Sequence, residues 1–582
     1  MASGQSFPVE RSSVDIRGPD LEGVRSKWEG ILQDFQERLK EVSSEGSVAS
    51  CSRHQDRGQL LPRDRIALLL DFDSPFLELG PFAGHKLPSS NNCANIIAGI
   101  GIVGWVHSNG SWLQNPGVSI AKTNRSIVLQ WYTMSTDVPH PNTRWRCVER
   151  IHRYARTFAY TVQKVNRIME IGMENDLPLI SLVQSAGVFL PQQFRVFHKG
   201  GQLFRDLALR SQQGKPSCAI VFGSSTAGGA YHPALSDYTI FVQKQAQVFL
   251  AGPPLVKMAT GETVVAEELG GADIHATTTG LADQIAVDEF DAIQKAREWV
   301  ATLRTPDPQS LLAYRTIPAL PPRYPIEDLL SLVDPDIRKP FDMREALLRI
   351  VDDSRLLQFK PKYGPSMITA RAHILGFPVG IVANQRPIIH VQEALKAAQF
   401  IRTCNQELTP IVFLHNVTGF MVGPKAEHAG IIKAGAQLVS AVSCSQVPHI
   451  SIIMGSSYGA GNYAMAGRSY RPRFLFSWPT GRCSVMGPDQ LAGVMENIQR
   501  AKARTSPDGP ASEAAVKEGK ARTQELRDQA IKDAECYATS AILVDDGVID
   551  PRDTRDVLGM CLEIVKLPTV EDTQSHRLLA RI

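Results

Sequence analysis

The sequence predicts an α/β protein built from two copies of one unit. Three observations carry that expectation. Apolar runs such as PLISLV, CAIVFG, PIVFLH and HISIIMG each lead into a glycine-rich turn and then a helical stretch, the pattern of repeated β-turn-α units with buried sheets. The stretches also recur. GSSTAGGAY begins at Gly223 and GSSYGAGNY at Gly455, 232 residues later; Lys164, Pro178 and Gly187 are matched at that offset by Lys396, Pro410 and Gly419. Between the copies, RTPDPQSLLAYRTIPALPPRYP (304–325) carries six prolines, which suits an extended connector.

In chain order this gives an N-terminal extension (1–50), a first domain (51–303), the proline-rich linker (304–325) and a second domain (326–582). A chain of 582 residues is too long for one ordinary core, and 43% hydrophobic with 21% charged residues is a globular composition. A net charge of +3 is too small to argue for nucleic acid or an anionic membrane as partner. The nine cysteines form no C-x-x-C pair, so no metal site or disulfide framework is expected. No apolar run approaches the roughly 20 residues that span a bilayer, so no membrane partner is expected. The opening MASGQSFPVERSSVDIRGPD lacks the apolar centre of a secretory signal, and its acidic residues disfavour a mitochondrial transit peptide. The final ARI is a loose relative of the S-K-L peroxisomal address, which a random match explains equally well.

The copies differ in length. RDRIALLLDFDSPFLEL (63–79) resembles REALLRIVDDSRLLQF (344–359), and VGWV at 103 resembles VGIV at 379, 276 apart. The fall from 276 to 232 leaves 44 extra residues in the first copy, between about 106 and 164. This stretch is read as an atypical insert at about 107–157 without catalytic role. A functional loop, a disordered insert and a retained intron are its candidate origins.

Four glycine turns form two matched pairs: SAGV (185–188) with TGF (418–420), and TAGGA (226–230) with YGAGN (458–462). Such turns present backbone N–H groups, which bind anions and developing oxyanions. Gly455, Ser457 and Gly459 also fit G-x-S-x-G, the nucleophile pattern of α/β-hydrolases. That enzyme needs an acid and then a histidine further on; the only histidine after Ser457 is His576, and the first copy has Ala227 in place of the last glycine. The glycines are therefore read as backbone donors and Ser457 as structural.

The stretches RGQLLPRDRIALLLDFDSPFLELGPFAG, TAGGAYHPALSD, FLAGPPLVKMATGE, ELGGADIH, NVTGFMVG, GSSYGAGNY, WPTGRCSVMG and VDDGVIDPRDTR resemble the carboxyltransferase (β) subunits of biotin-dependent acyl-CoA carboxylases, closest to the methylcrotonoyl-CoA type. The resemblance runs from about residue 50 to 560, outside the odd segment. It implies two duplicated crotonase-like ββα-spiral domains. It also implies a carboxyltransferase that moves CO2 from carboxybiotin to an acyl-CoA through an enolate held in backbone oxyanion holes. By position, the hole for the acyl thioester falls at Ala186 and Gly187, and the hole for the biotin ureido oxygen at Ala460 and Gly461. Gly228, Gly229 and Ala230 shape the first site, Asn462 and Tyr463 border the acyl pocket, and Phe420 and Val422 wall the biotin side. Arg53, Arg57, Arg63 and Arg65 are candidates for CoA phosphates. GAGNY is nearer the methylcrotonoyl pattern than the GGAYD of propionyl-type enzymes.

No ATP-grasp region and no A-M-K-M biotin-attachment motif are present. Biotin is thus expected on a partner, a biotin carboxylase/biotin-carrier α subunit that alone uses ATP. The family implies a homo-hexameric core and a mitochondrial location, with cytoplasmic or peroxisomal alternatives. AKARTSPDGPASEAAVKEGKARTQELRDQA (501–530) reads as a charged hairpin of helices. One departure stands out: where the family carries ND-x-T-x-x-GG before a helix starting near Thr161, this chain has ARTFAYTVQK, without the glycine pair. It motivates a second reading, a catalytically impaired paralogue acting as a structural subunit. A decarboxylase subunit of a sodium-pump complex is a third.

Overall fold

The computed structural model describes the chain except residues 1–6, 15–18, 47, 73, 88–91, 104–124, 133–158, 186, 189, 304–316, 506–512 and 568–582. Two compact units result. One comprises Glu37–Leu312 with Ala541–Leu543; the other comprises Met1–Gln36, Ala313–Ser540 and Val544–Ile582. Residues 1–36, an extension in the linear reading, thus belong with the second copy. Trp28 shows why: it is fully buried, donates from Nε1 to the Val333 carbonyl (2.7 Å) and lies edge-on to Trp478.

In the first unit the strands are β1 (Leu77–Glu78), β2 (Ile96–Val103), β3 (Arg125–Tyr132), β4 (Leu179–Ser185), β5 (Ser217–Thr226), β6 (Tyr238–Val242), β7 (Gln247–Phe249) and β8 (Gln284–Ala286). They form one sheet in the order β1-β2-β3-β4-β5-β6-β8, with β7 beside the end of β5. The β1-β2 and β2-β3 pairs are antiparallel and the remainder parallel. The apolar runs are continuous because both faces are covered. Cys218, Ile220 and Phe222 pack with Ala292, Ile293 and Ala296 of the helix Glu289–Thr302, while Ala219 and Val221 join Val183 and Phe241 in a separate cluster.

The second unit repeats the plan. Its strands are β9 (Leu357–Gln358), β10 (Met367–Ile374), β11 (Phe377–Asn384), β12 (Ile388–Ile389), β13 (Ile411–Val417), β14 (Gly419–Phe420), β15 (His449–Tyr458), β16 (Phe474–Ser477) and β17 (Arg482–Ser484). The main sheet runs β16-β15-β13-β11-β10-β9 with β17 beside β15, and β12 pairs with β14 separately. Register repeats in detail. The β4-β5 ladder shifts between Val183 and Ser185, and the β13-β15 ladder between His415 and Val417, 232 residues on. Such bulges re-aim a strand's end. Lys164 and Lys396 are equally matched. Each is buried and donates from Nζ to two backbone carbonyls, Cys93 and Ile96 in the first copy, Gly364 and Met367 in the second.

One expectation changes here. The segment 107–157 is not wholly an insertion, because it contains β3, a strand inside the sheet. Val128 pairs with Leu179 as Gly380 pairs with Ile411, and with Ile100 as Gly380 pairs with Arg371, so β3 is the counterpart of β11 and β2 of β10. The matched positions then lie 271 apart on β2, 252 on β3 and 232 on β4, so the excess is divided between the two sides of β3. VGWV at 103 is accordingly not the counterpart of VGIV at 379. Gly223 and Gly455 lie within β5 and β15, at the ends of the apolar runs CAIVFG and HISIIMG. A Cβ at Gly223 would meet Gln184 Nε2 at 2.8 Å, and one at Gly455 would meet Asn416 Oδ1 at 2.7 Å. These glycines make room for the bulged neighbour's side chain.

The charged segment after residue 487 forms two helices, Pro488–Thr505 and Glu513–Asp533, joined by an Arg527–Asp489 ion pair. Among the described residues no helix is long and apolar enough to cross a membrane.

Candidate active site

In each copy two neighbouring parallel strands end in turns that touch. In the first, β4 leads to Gly187 and β5 to the short 3-10 turn Ala227–Ala230. Gly187 adopts φ +85° and lies against Thr226: a Cβ there would stand 3.6 Å from Thr226 Oγ1. Its N–H donates to Ser185 Oγ at 3.2 Å. Ala186 lies outside the described residues. Gly229 packs on Ser225 and Ser185, Gly228 is exposed near Phe204, and Ala230 is buried. Thr226, the residue preceding the turn, makes no side-chain cap to the turn's first N–H groups.

In the second copy β13 leads to Gly419 (φ +143°) and β15 to the helix Gly459–Ala464, whose preceding residue Tyr458 likewise supplies no side-chain cap. Gly461 is held against the other turn. A Cβ on it would lie 2.7 Å from Val417 Cγ2, 3.2 Å from Gly419 Cα and 3.3 Å from Gly419 N. Only glycine allows that approach. Ala460 is exposed beside it. Ala227 and Gly459, 232 residues apart, share the same left-handed conformation (φ +54° and +53°).

The remaining expected residues divide. Tyr463 is 44% exposed and tilted against Tyr470. Val422 is exposed, while Phe420 packs toward the core beneath Gly435 of the helix Ile431–Cys444. Asn462 is buried and its Nδ2 donates to Ser457 Oγ (2.9 Å).

The arginines need correction. Arg65 is fully buried, doubly bonded to Glu289 and stacked on Phe222, so it cannot reach a CoA phosphate. Arg63 is committed to both oxygens of Glu78 (2.9 and 3.0 Å). Arg53 is exposed with Nε on the Ala49 carbonyl, and Arg57 is exposed; these two remain able to meet solvent ligands.

Ser457 has a histidine after all. His415, upstream on β13, places Nδ1 2.9 Å from Ser457 Oγ. Both are fully buried, and burial lowers the ring to about 3 against a smaller opposing influence of the Met465 backbone. An inaccessible serine beside a ring that resists protonation is not a hydrolase nucleophile. The only sequence signal was the polar pair His415-Asn416 ending an apolar run, and sequence order hid its relation to Ser457. His576 lies outside the described residues. Burial also raises the thiols of Cys93 and Cys483 to about 11, away from thiolate chemistry. Among the described residues no group of three acidic, histidine or cysteine side chains could hold a metal ion.

A duplicated, mostly parallel sheet with backbone turns paired at its strand ends is the crotonase-like class of fold. Within that class the chain belongs to the carboxyl transferase domain family, which matches residues 157–578. It is 41% identical over 574 residues to the probable biotin-dependent acyl-coenzyme A carboxylase beta2 subunit of Mycobacterium tuberculosis, covering 97% of this chain and 98% of that one. It is 40% identical over 557 residues to the mitochondrial methylcrotonoyl-CoA carboxylase beta chain of Arabidopsis thaliana, covering 94% and 87%. Among solved structures, the beta subunit of Pseudomonas aeruginosa geranyl-CoA carboxylase superposes with a TM-score of 0.80 at 35% identity, covering 97% of this chain and 99% of that one.

Proposed function

We propose that this chain is the carboxyltransferase subunit of a biotin-dependent acyl-CoA carboxylase, acting on 3-methylcrotonoyl-CoA or a related branched, unsaturated thioester. The observation that carries it is the close approach of Gly461 to Gly419, at a helix start that has no side-chain cap from Tyr458 and where Ala460 is exposed. The relatives' names support the substrate class: methylcrotonoyl-CoA and geranyl-CoA are both branched and unsaturated.

The residues fit a group whose oxygen meets backbone donors. Biotin, carried by a partner subunit, supplies the carboxyl group when bound. The amides of Ala186 and Gly187 hold the thioester oxygen as negative charge moves onto it with loss of a proton. The Gly187 N–H, now on Ser185 Oγ at 3.2 Å, exchanges a long neutral bond for a charged acceptor. The amides of Ala460 and Gly461 hold the ureido oxygen. Each such donor is worth about 3–4 kcal/mol of barrier in other enzymes. Gly228, Gly229 and Ala230 shape the thioester side, and Tyr463 the acyl pocket. The partner is a biotin carboxylase/biotin-carrier subunit, the sole user of ATP, around a homo-hexameric core of this chain. For a eukaryotic host our reading assigns the mitochondrion.

The missing glycine pair at ARTFAYTVQK favours one other reading, a structural paralogue without activity. The test is to co-express the chain with its biotinylated partner and follow labelled bicarbonate, with ATP, into a panel of acyl-CoAs. Preferential labelling of a branched, unsaturated thioester supports the proposal. An assembled complex that labels none supports the paralogue.

A further inference from the structure

Three buried polar side chains run in a line through the second unit. His415 on β13 meets Ser457 on β15 (Nδ1 to Oγ, 2.9 Å), and Asn462 on the helix Gly459–Ala464 donates to the same Oγ (2.9 Å). Buried polar groups cost stability unless they are joined, and joined they fix one another's orientation. Ser457 Oγ accepts from Asn462 and shares a hydrogen bond with His415 Nδ1, whose donor is set by the tautomer of the neutral ring. The ring stays neutral at working pH, so the line is not a proton shuttle.

The first copy shows that the fold does not require this line. At the offset of 232 stand Val183, Ser225 and Ala230. The bulge between the strands is the same, yet the serine hydroxyl is buried without a partner among the described groups. The line is thus an addition to one copy, and its three members sit at the ends of the elements that build that copy's turn. His415 lies two residues before the end of β13, Ser457 one before the end of β15, and Asn462 directly follows Gly461.

We propose that Ser457 and His415 are positioning residues: through Asn462 they hold the Ala460 and Gly461 amides in place for the oxyanion of the transfer reaction. This rests on the carboxyltransferase reading. A misplacement approaching 1 Å can cost about a hundredfold in rate, and Asn462 is the residue of this helix directly after Gly461.

The test uses the assembled complex with its biotinylated partner. Wild-type labelling of a thioester comes first; if it fails with every acyl-CoA, the carboxyltransferase reading itself fails, separately from this one. Ser457→Ala and His415→Leu are then compared by kcat, KM for the acyl-CoA, and acyl-CoA binding stoichiometry by equilibrium dialysis. The expected result is a kcat lower by about tenfold or more, with KM and sites per chain unchanged. His415→Asn, whose side-chain amide can replace Nδ1 as either acceptor or donor, restores most of the rate. Three outcomes overturn the proposal: kcat within about twofold of wild type, kcat falling in proportion to the number of binding sites, or His415→Asn as impaired as His415→Leu.

Discussion

Replacing Gly461 by alanine strikes the contact on which the second turn depends. The added Cβ would sit 2.7 Å from Val417 Cγ2, where carbon atoms prefer about 3.5–4.0 Å. Some 0.8 Å or more of relief is therefore needed. Val417 is fully buried, and the next atoms met, Gly419 Cα and N at 3.2 and 3.3 Å, are backbone. No side chain can simply swing away, so the turn itself must move. Overpacking of this kind costs about 1–3 kcal/mol of stability. The same displacement carries the Ala460 and Gly461 amides with it, and a shift of this size lowers rate by roughly tenfold to a hundredfold. Thermal unfolding of the chain and kcat of the assembled carboxylase read the two effects. Gly461→Ala with unchanged unfolding temperature and kcat within about twofold of wild type would refute the reasoning, because it would show that the two turns need not touch.

Other perturbations test other parts of the account. Ala227→Gly relieves a left-handed alanine where the second copy already has Gly459; it should stabilise the first unit by about 1 kcal/mol or less, as a higher unfolding temperature. Burial raises Asp545 to about 7 from 3.8, so the folded chain holds a proton that the unfolded chain releases above about pH 4. Its contribution is present below that pH and is lost as pH rises through 7; Asp545→Asn should therefore gain stability relative to wild type on going from about pH 5 to 8, and a constant difference would contradict this. Arg65→Met leaves Glu289 buried and unpaired, and should destabilise by about 3–5 kcal/mol in denaturant unfolding without raising KM for acyl-CoA in the folded fraction.

Much of the fold was legible because duplication doubles every signal. Gly187 with Gly419 and Lys164 with Lys396 keep one offset; both glycines have positive φ (+85° and +143°), and the two lysines have one bonding pattern. The turn pairs were legible because glycine marks close backbone approach. What sequence could not show was partnership across strands. Arg65 and Arg63 read as free cations, yet Glu289 and Glu78 hold them. RSIVLQWY has the composition of a strand, but the odd residues around it masked its place as β3. His415 and Ser457 are 42 positions apart and become neighbours only through parallel pairing of β13 and β15.

The central claim is that the two turns serve carboxyl transfer to a thioester. Its most direct measurement is NMR of the product formed by the assembled complex from carbon-13 bicarbonate, ATP and 3-methylcrotonoyl-CoA. The account predicts a single labelled carboxyl group on the carbon of a former methyl, the far end of a vinylogous enolate. ATP consumed by an intact complex with no labelled thioester would contradict it.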